Sequence, residues 1–230
     1  MIISEFSELQ AVDFGLGAHV AAAFQGLADV GTKEWREFLK RPANRKVYRH
    51  DSEGPQEFIH ALMAARKAEV SVPITGERVN AAELPVVYYF RKPGLTNSDE
   101  TKPNRGRYSW NDLKTKALNL MMMPLSLDYQ LYLLAWDKPT LDKMQLAFYA
   151  WATLHDKFVC KYRIAGEILD VKAFVQDHRT VTFTDASQAQ DGNRLYAVTM
   201  PITINTQVLA GAEALPPAAM RVNTSQGVTY

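Results

Sequence analysis

Between Phe6 and Leu27 the apolar residues Phe6, Leu9, Val12, Phe14, Leu16, Val20, Phe24 and Leu27 recur at mostly three- and four-residue spacing, the period of an amphipathic helix. The spacing predicts one helix, or two joined near Gly15, Leu16 and Gly17, with Ser4 as N-cap and Glu5 and Glu8 at the positive end of the helix dipole. A shorter helix is predicted from Thr32, burying Trp35, Phe38 and Leu39 and ending before Pro42; a third runs from Pro55 to Lys67 and groups Phe58, Ile59, Leu62 and Met63. The first third of the chain therefore reads as helical.

The pattern then changes to period two. Residues 69–74 and 84–91 are β-branched and aromatic runs bounded by Pro and Gly, which predicts strands. From Leu118 to Asp137 the chain reads as extended, with Leu125, Leu127, Tyr129, Leu131 and Leu133 alternating with Ser126, Asp128, Gln130 and Tyr132, the signature of a half-buried strand. After Asp137 to Thr140, a helix of about 19 residues is marked by Leu141, Met144, Phe148, Trp151, Ala152 and His155. Residues 158–164, 179–184 and 195–208 read as further strands. In the last, Tyr196, Val198, Met200, Ile202, Ile204 and Val208 share a face that only Thr206 interrupts, behind a turn at Asp191, Gly192 and Asn193. Residues 92–108 are polar and rich in turn formers, a long loop, and beyond Val208 the periodicity stops.

These elements predict an α+β fold: N-terminal helices, then a mostly antiparallel sheet with one long helix packed on it. The organisation expected is a helical region 1–68, an α+β core 69–208 with an extended loop at 92–108, and a C-terminal arm 209–230. The arm has two adjacent prolines, Pro216 and Pro217, with Met220 after them, and cannot bury enough surface to fold alone.

Composition narrows the function classes. The 230 residues carry 26 Lys and Arg against 25 Asp and Glu, a formal charge of +1, whereas a protein that coats nucleic acid usually needs a clear basic excess. One cysteine, Cys160, precludes an internal disulfide and a thiolate zinc site, and reads as a small buried hydrophobe. Acidic Glu5, Glu8 and Asp13 stand where a secretory signal would place basic residues, and the weakly polar stretch Ala18 to Ala28 is far short of the roughly 20 apolar residues that span a bilayer. The expectation is a protein kept in a cytosol, with no membrane partner.

Candidate chemistry is sparse. Glu57 and His60 have Glu-x-x-His spacing on a predicted helix, but one copy does not make a di-metal site, so no metal is expected. Gly15 and Gly17 offer a Gly-x-Gly with no strand before it, which fits packing between helices better than a dinucleotide site. His155 and Asp156 are adjacent and diverge on a helix, and the five histidines fall in different predicted elements. No catalytic group and no cofactor are expected. Charge, by contrast, is uneven: Arg91, Lys92, Lys102, Arg105, Arg107, Lys114 and Lys116 face only Asp99, Glu100 and Asp112 within 91–116, and a second basic surplus lies at Arg41, Arg45, Lys46 and Arg49. A basic loop can reach DNA or an acidic partner, with Tyr108 and Trp110 as stacking residues, or can simply be solvated.

The order of the elements resembles the tail terminator proteins of tailed bacteriophages. The residues that carry it are the strand Leu84 to Phe90, a long loop, the strand Leu125 to Leu134, the helix Leu141 to Lys157 and two closing strands, about residues 70 to 208. Additions at both ends and the longer central loop look more like the terminators and neck proteins of contractile-tailed phages. The resemblance implies a structural, non-enzymatic virion protein assembled in the host cytoplasm. It implies a ring of this chain, usually sixfold, capping the tail tube, with sheath and a head–tail connector or collar protein as partners and DNA in the lumen. Interaction residues expected on this reading are Arg91, Lys92, Lys102, Arg105, Arg107, Pro216, Pro217 and Met220. A collar or baseplate protein is the nearest alternative, and a nucleic-acid-binding module using 91–116 is the alternative from another class.

Overall fold

A computed structural model of the chain describes residues 8–69, 84–97, 104–109, 117–164, 167–190 and 193–214. In chain order the elements are α1 (Glu8–Ala22), α2 (Lys33–Lys40), a 3-10 turn (Ala43–Arg45), β1 (Val47–Arg49), α3 (Pro55–Glu69), β2 (Val86–Arg91), β3 (Thr96–Asn97), β4 (Asn104–Ser109) and β5 (Ala117–Ala135). They continue with α4 (Lys138–Leu154), β6 (Lys157–Ile164), β7 (Glu167–Val175), β8 (Thr184–Asp185), β9 (Gln188–Gln190) and β10 (Asn193–Ala214). The fold is α+β. The strands form one sheet in the order β1-β2-β5-β10-β7-β6; β3 and β4 also pair with β5, and β8 and β9 with β10. All these pairs are antiparallel except β1 with β2.

Period-two alternation in the two central strands puts an apolar row on each face of the sheet. Leu125, Leu127, Tyr129, Leu131 and Leu133 of β5 and Val198, Met200, Ile202, Ile204 and Val208 of β10 form the main core with α1, α2 and α4. On the opposite face Tyr132, Leu134, Leu195 and Ala197 pack with Tyr88 of β2 and with Phe58 and Ile59 of α3. There the rings of Phe58, Tyr88 and Tyr132 stack in series, with centroids 4.2 and 4.6 Å apart.

The helix ends follow local chemistry. Thr32 Oγ1 accepts from the Trp35 amide at 3.2 Å, and the Asp137 carboxylate accepts from the Thr140 amide at 2.8 Å, each satisfying an orphan donor of a first turn. The two cap turns meet, since the hydroxyls of Thr32 and Thr140 lie 2.5 Å apart.

Helix α1 runs unbroken through Gly15 and Gly17, which mark its closest approach to the sheet rather than to another helix. A Cβ on Gly15 would lie 3.0 Å from the Phe158 ring and 3.1 Å from the Val159 carbonyl oxygen, and one on Gly17 would lie 2.6 Å from the Tyr89 hydroxyl. Glycine costs a helix about 1 kcal/mol relative to alanine; here it lets the backbone of α1 lie against β2 and β6.

Several sequence expectations are corrected. Residues 92–108 are not one long loop, because β3 and β4 within them pair with β5, a backbone pairing that the polar composition hides; residues 98–103 lie outside the described residues. Strand 179–184 reduces to β8: Asp177, at φ 50, and the Thr180 amide bonded to the Asp177 carbonyl make a turn, after which Val181 and Phe183 pack on the core without a ladder. Strand β7 was not anticipated, although Leu169, Val171, Ala173 and Val175 alternate in it; exposed Ile168 and Phe174 on its other face blur the pattern. Helix α4 ends at Leu154, with His155 as C-cap. The arm does not begin at 209, because β10 continues to Ala214 through a bulge between Leu209 and Gly211. The Ser4 cap and all but Glu69 of the strand expected at 69–74 lie outside the described residues; Glu69 itself ends α3.

Candidate assembly interface

Of the residues singled out for interaction, Arg91 is the one whose side chain the structure ties down. It leaves the end of β2 and points at Asp13 of α1, a residue only 1% exposed. Arg91 Nη1 donates to Asp13 Oδ1 at 3.2 Å and Arg49 Nε donates to Oδ2 at 2.9 Å. Tyr129 Oη donates to Oδ1 at 2.7 Å and Tyr89 Oη donates to the Asp13 carbonyl at 2.6 Å. Burial, and after it the Asp13 carboxylate, raises the pKa of both tyrosines, keeping them as neutral donors. One carboxylate thus joins α1 to β1, β2 and β5, and Arg91 belongs to this internal lock rather than to a free basic loop.

The second basic surplus is also used internally. Lys46, 5% exposed, donates to the carbonyls of Leu39 at 2.9 Å and Phe24 at 3.4 Å, and burial lowers its pKa. Arg41 donates to the carbonyls of Pro85 at 3.0 Å and Leu84 at 3.2 Å. Lys46 and Arg41 satisfy carbonyls where the chain enters and leaves short elements, and Arg49 pairs with Asp13, so this surplus is engaged inside the fold. Sequence reasoning could not see this, because most of their acceptors, the Phe24, Leu84 and Pro85 carbonyls and the Asp13 carboxylate, lie more than 20 residues away.

Lys92 donates its amide to the Asp128 carbonyl at 2.8 Å, continuing the β2 ladder. Arg105 and Arg107 occupy alternate positions of β4, opposite Met121 and Asn119 of β5. Lys102, Trp110, Pro216, Pro217 and Met220 lie outside the described residues.

Sequence reasoning anticipated the length of β5, read as extended from Leu118 to Asp137, but ended the last strand at Val208 and so missed how far the central ladder runs. Strands β5 and β10 pair from Ala135 and Tyr196 to Leu118 and Ala214, about 60 Å of strand at ~3.4 Å per residue. Among residues whose side chains are described, the main core covers only Leu125 to Ala135 of β5 and Val198 to Val208 of β10. Beyond it the ladder continues as a three-stranded ribbon with β4. The edge of β10 away from β5 changes along its length: β9, β8 and β7 pair with it in turn, the last through Ile204 and Asn205 only. Among the described residues no strand pairs with that edge beyond Asn205. There β7 and β10 separate around a cleft of about 340 Å³ lined by Met122, Leu169, Phe174, Thr206 and Gln207, among others.

No protein-family model matches the sequence, and no curated protein matches it.

Elsewhere on the surface, Leu146, Tyr149 and Leu154 make an exposed apolar stripe along α4, at 68, 45 and 77% exposure. A second cleft of about 280 Å³ lies between α1, α4 and the turn after β7, with His19 and His178 on its wall. His19 packs against the rings of Phe158 and Trp151, and His155, beside it, stacks on Trp151 with centroids 3.6 Å apart. Cys160 is fully buried, and burial pushes its thiol up to about 12, so it is no nucleophile in the folded chain. Glu57 and His60 are both exposed on α3. Among the described residues no three His, Cys, Asp or Glu side chains gather as metal ligands, and no helix is long and apolar enough to cross a membrane.

Proposed function

We propose that this chain is a structural virion subunit, the tail terminator of a tailed bacteriophage, which forms a ring that caps the tail tube and joins it to the head-proximal neck. The observation that carries the reading is the edge of β10 beyond Asn205, with which no strand pairs among the described residues, on a ribbon that continues past the described main core. An unpaired strand edge is a template for another chain, and natural monomers usually shorten, cover or charge such edges. Here the edge is long, and a symmetric ring offers a use for it, because each subunit presents one surface to the next around a closed cycle. The exposed apolar side chains of Leu146, Tyr149 and Leu154 on α4 support the same reading, since exposed apolar surface marks contact sites.

A reading as a structural part also fits the chemistry. Asp13, Arg49, Arg91, Tyr89 and Tyr129 satisfy one another and hold elements together. In this role Arg105 and Arg107 of β4 are placed on the ribbon, where a neighbouring subunit, the tube or lumenal DNA would meet them.

Electron microscopy of the purified chain mixed with tail tubes tests the proposal. Rings seated on tube ends are expected; a monomer that leaves every tube uncapped would overturn it.

A further inference from the structure

The β6–β7 hairpin turns one face to the core and the other to solvent. Phe158, Cys160, Tyr162 and Ala173 are buried, and the side chains described between them are exposed, as period-two geometry requires. Across the ladder the outer face reads Lys157 with Phe174, Val159 with Lys172, Lys161 with Asp170 and Arg163 with Ile168. Phe174 stands beside Asn205 of β10, so this is the sheet face that α3 covers farther along, over β2, β5 and β10. Among the side chains described on the hairpin's outer face there are four cations and one acid. That is a surplus of three in a chain whose formal charge is +1, so the rest of the chain is net acidic.

The arrangement of these charges narrows what they meet. Lysines often guard an edge strand against pairing, but α1 already lies against β6 at the Val159 carbonyl, and Lys172 is on β7, an interior strand. A stable protein interface gathers apolar contact at its centre and depletes lysine there. Here Lys161 and Lys172 hold the two middle rows, with Val159 and Phe174 toward one end and Ile168 at the other. Phe174 is engaged from within the hairpin, because the Lys157 ammonium lies 5.6 Å from its ring centroid, and 3.9 Å from Asp156 on its other side. Lys161 and Lys172 are diagonal neighbours, about 7 Å apart at the backbone, and Lys161 and Arg163 stand about as far apart along β6. That spacing is about two phosphate steps, at ~3.4 Å of axis each, along one strand of a duplex.

We propose that the outer face of β6 and β7 binds the phosphate backbone of duplex DNA, through Lys161 and Lys172 at its centre and Lys157 and Arg163 beside them. The contact reads no sequence, because ammonium groups on a sheet face meet phosphates rather than base edges. It is a different surface from β4, which carries Arg105 and Arg107, and it stands apart from the ring reading, since one copy carries the whole face. A chain that caps tubes but ignores DNA would overturn this inference and leave the ring; a chain that binds DNA and caps nothing would do the reverse.

Fluorescence anisotropy of the full chain with short labelled duplexes of two unrelated sequences tests the proposal. Both duplexes should bind alike, and four phosphate contacts should lower affinity about a hundredfold between about 50 and 200 mM salt. Lys161→Gln with Lys172→Gln should reduce the slope of log affinity against log salt by about 2, with circular dichroism unchanged. Lys161→Arg with Lys172→Arg keeps the charge and should bind as the parent does, which separates lost charge from lost packing. Arg105→Gln with Arg107→Gln should leave the slope as it was. No binding at the lower salt overturns the proposal, as does an unchanged slope in the Lys161 and Lys172 glutamine variant. Loss of binding in the β4 variant alone would move the contact to that strand. Polyglutamate that displaces the duplex at equal charge concentration would make the face a site for acidic protein, which also overturns it.

Discussion

Arg91, at the end of β2, lies 3.2 Å from the buried carboxylate of Asp13 in α1, 78 residues earlier. The pair fastens the N-terminal helix to the sheet, with Arg49 and Tyr129 completing the shell around the same two oxygens. Removing one partner of a buried charge pair costs about 3–5 kcal/mol, because the other charge is left uncompensated. Arg91 and Arg49 keep 20 and 37% of their side chains exposed, so water can reach them when the carboxylate is lost. Asp13→Ala should cost about 3 kcal/mol, and Arg91→Ala less, because Arg49 and Tyr129 still hold the carboxylate. Urea unfolding of the two variants and their double mutant checks the order, and a coupling energy near zero would contradict the contact.

At Gly17 the prediction concerns space. An added methyl would lie 2.6 Å from the Tyr89 hydroxyl, which is itself bonded to the Asp13 carbonyl, so neither side moves freely. Gly17→Ala should destabilise by about 1–3 kcal/mol, the range for an overpacked core, despite alanine's better helix propensity. Tyr89→Phe in the same chain removes the clashing oxygen and should recover part of the loss in thermal melts.

His19 gives a pH dependence with a definite sign. Burial, then the neighbouring His155, lowers its pKa from 6.5 to about 4. The unfolded chain takes up the proton near pH 6.5 and the folded chain only near 4. Its contribution to stability is thus present above pH 6.5, is lost as pH falls toward 4, and is level below that, about 3 kcal/mol in all. Urea midpoints at pH 7.5 and 4.5 should differ less in His19→Phe than in the parent chain.

The stripe on α4 predicts a separation of stability from association. Leu146 and Leu154 are largely exposed, so Leu146→Glu with Leu154→Glu should change folding stability by under about 1 kcal/mol, as surface substitutions usually do. If the stripe is a subunit contact, the same pair should shift sedimentation toward monomer. Unchanged assembly would remove α4 from the interface.

Much of the fold was legible in the pattern. Leu125 to Leu133 and Tyr196 to Val208 alternate because every second residue of each strand faces the main core, and Trp35 and Phe38 fall three apart because α2 buries one stripe. Strands β1 and β4 were hidden because their sequences, Val47–Arg49 and Asn104–Ser109, are too short or too polar to show a period; they exist because β2 and β5 offer them edges. The C-terminal stretch 209–230, with Glu213 and Arg221 as its charged residues, stood out only for its loss of periodicity.

The sequence by itself determined which residues seek burial and with what period, because hydrophobic spacing follows from helix and strand geometry alone. Only the tertiary structure decided what the charges do. Arg91 and the Arg41 to Arg49 cluster look like a basic surface along the chain, yet Arg91, Arg49, Lys46 and Arg41 are turned onto Asp13 and onto backbone carbonyls. A charge in sequence carries its sign but not its partner, and the partner is set by long-range packing.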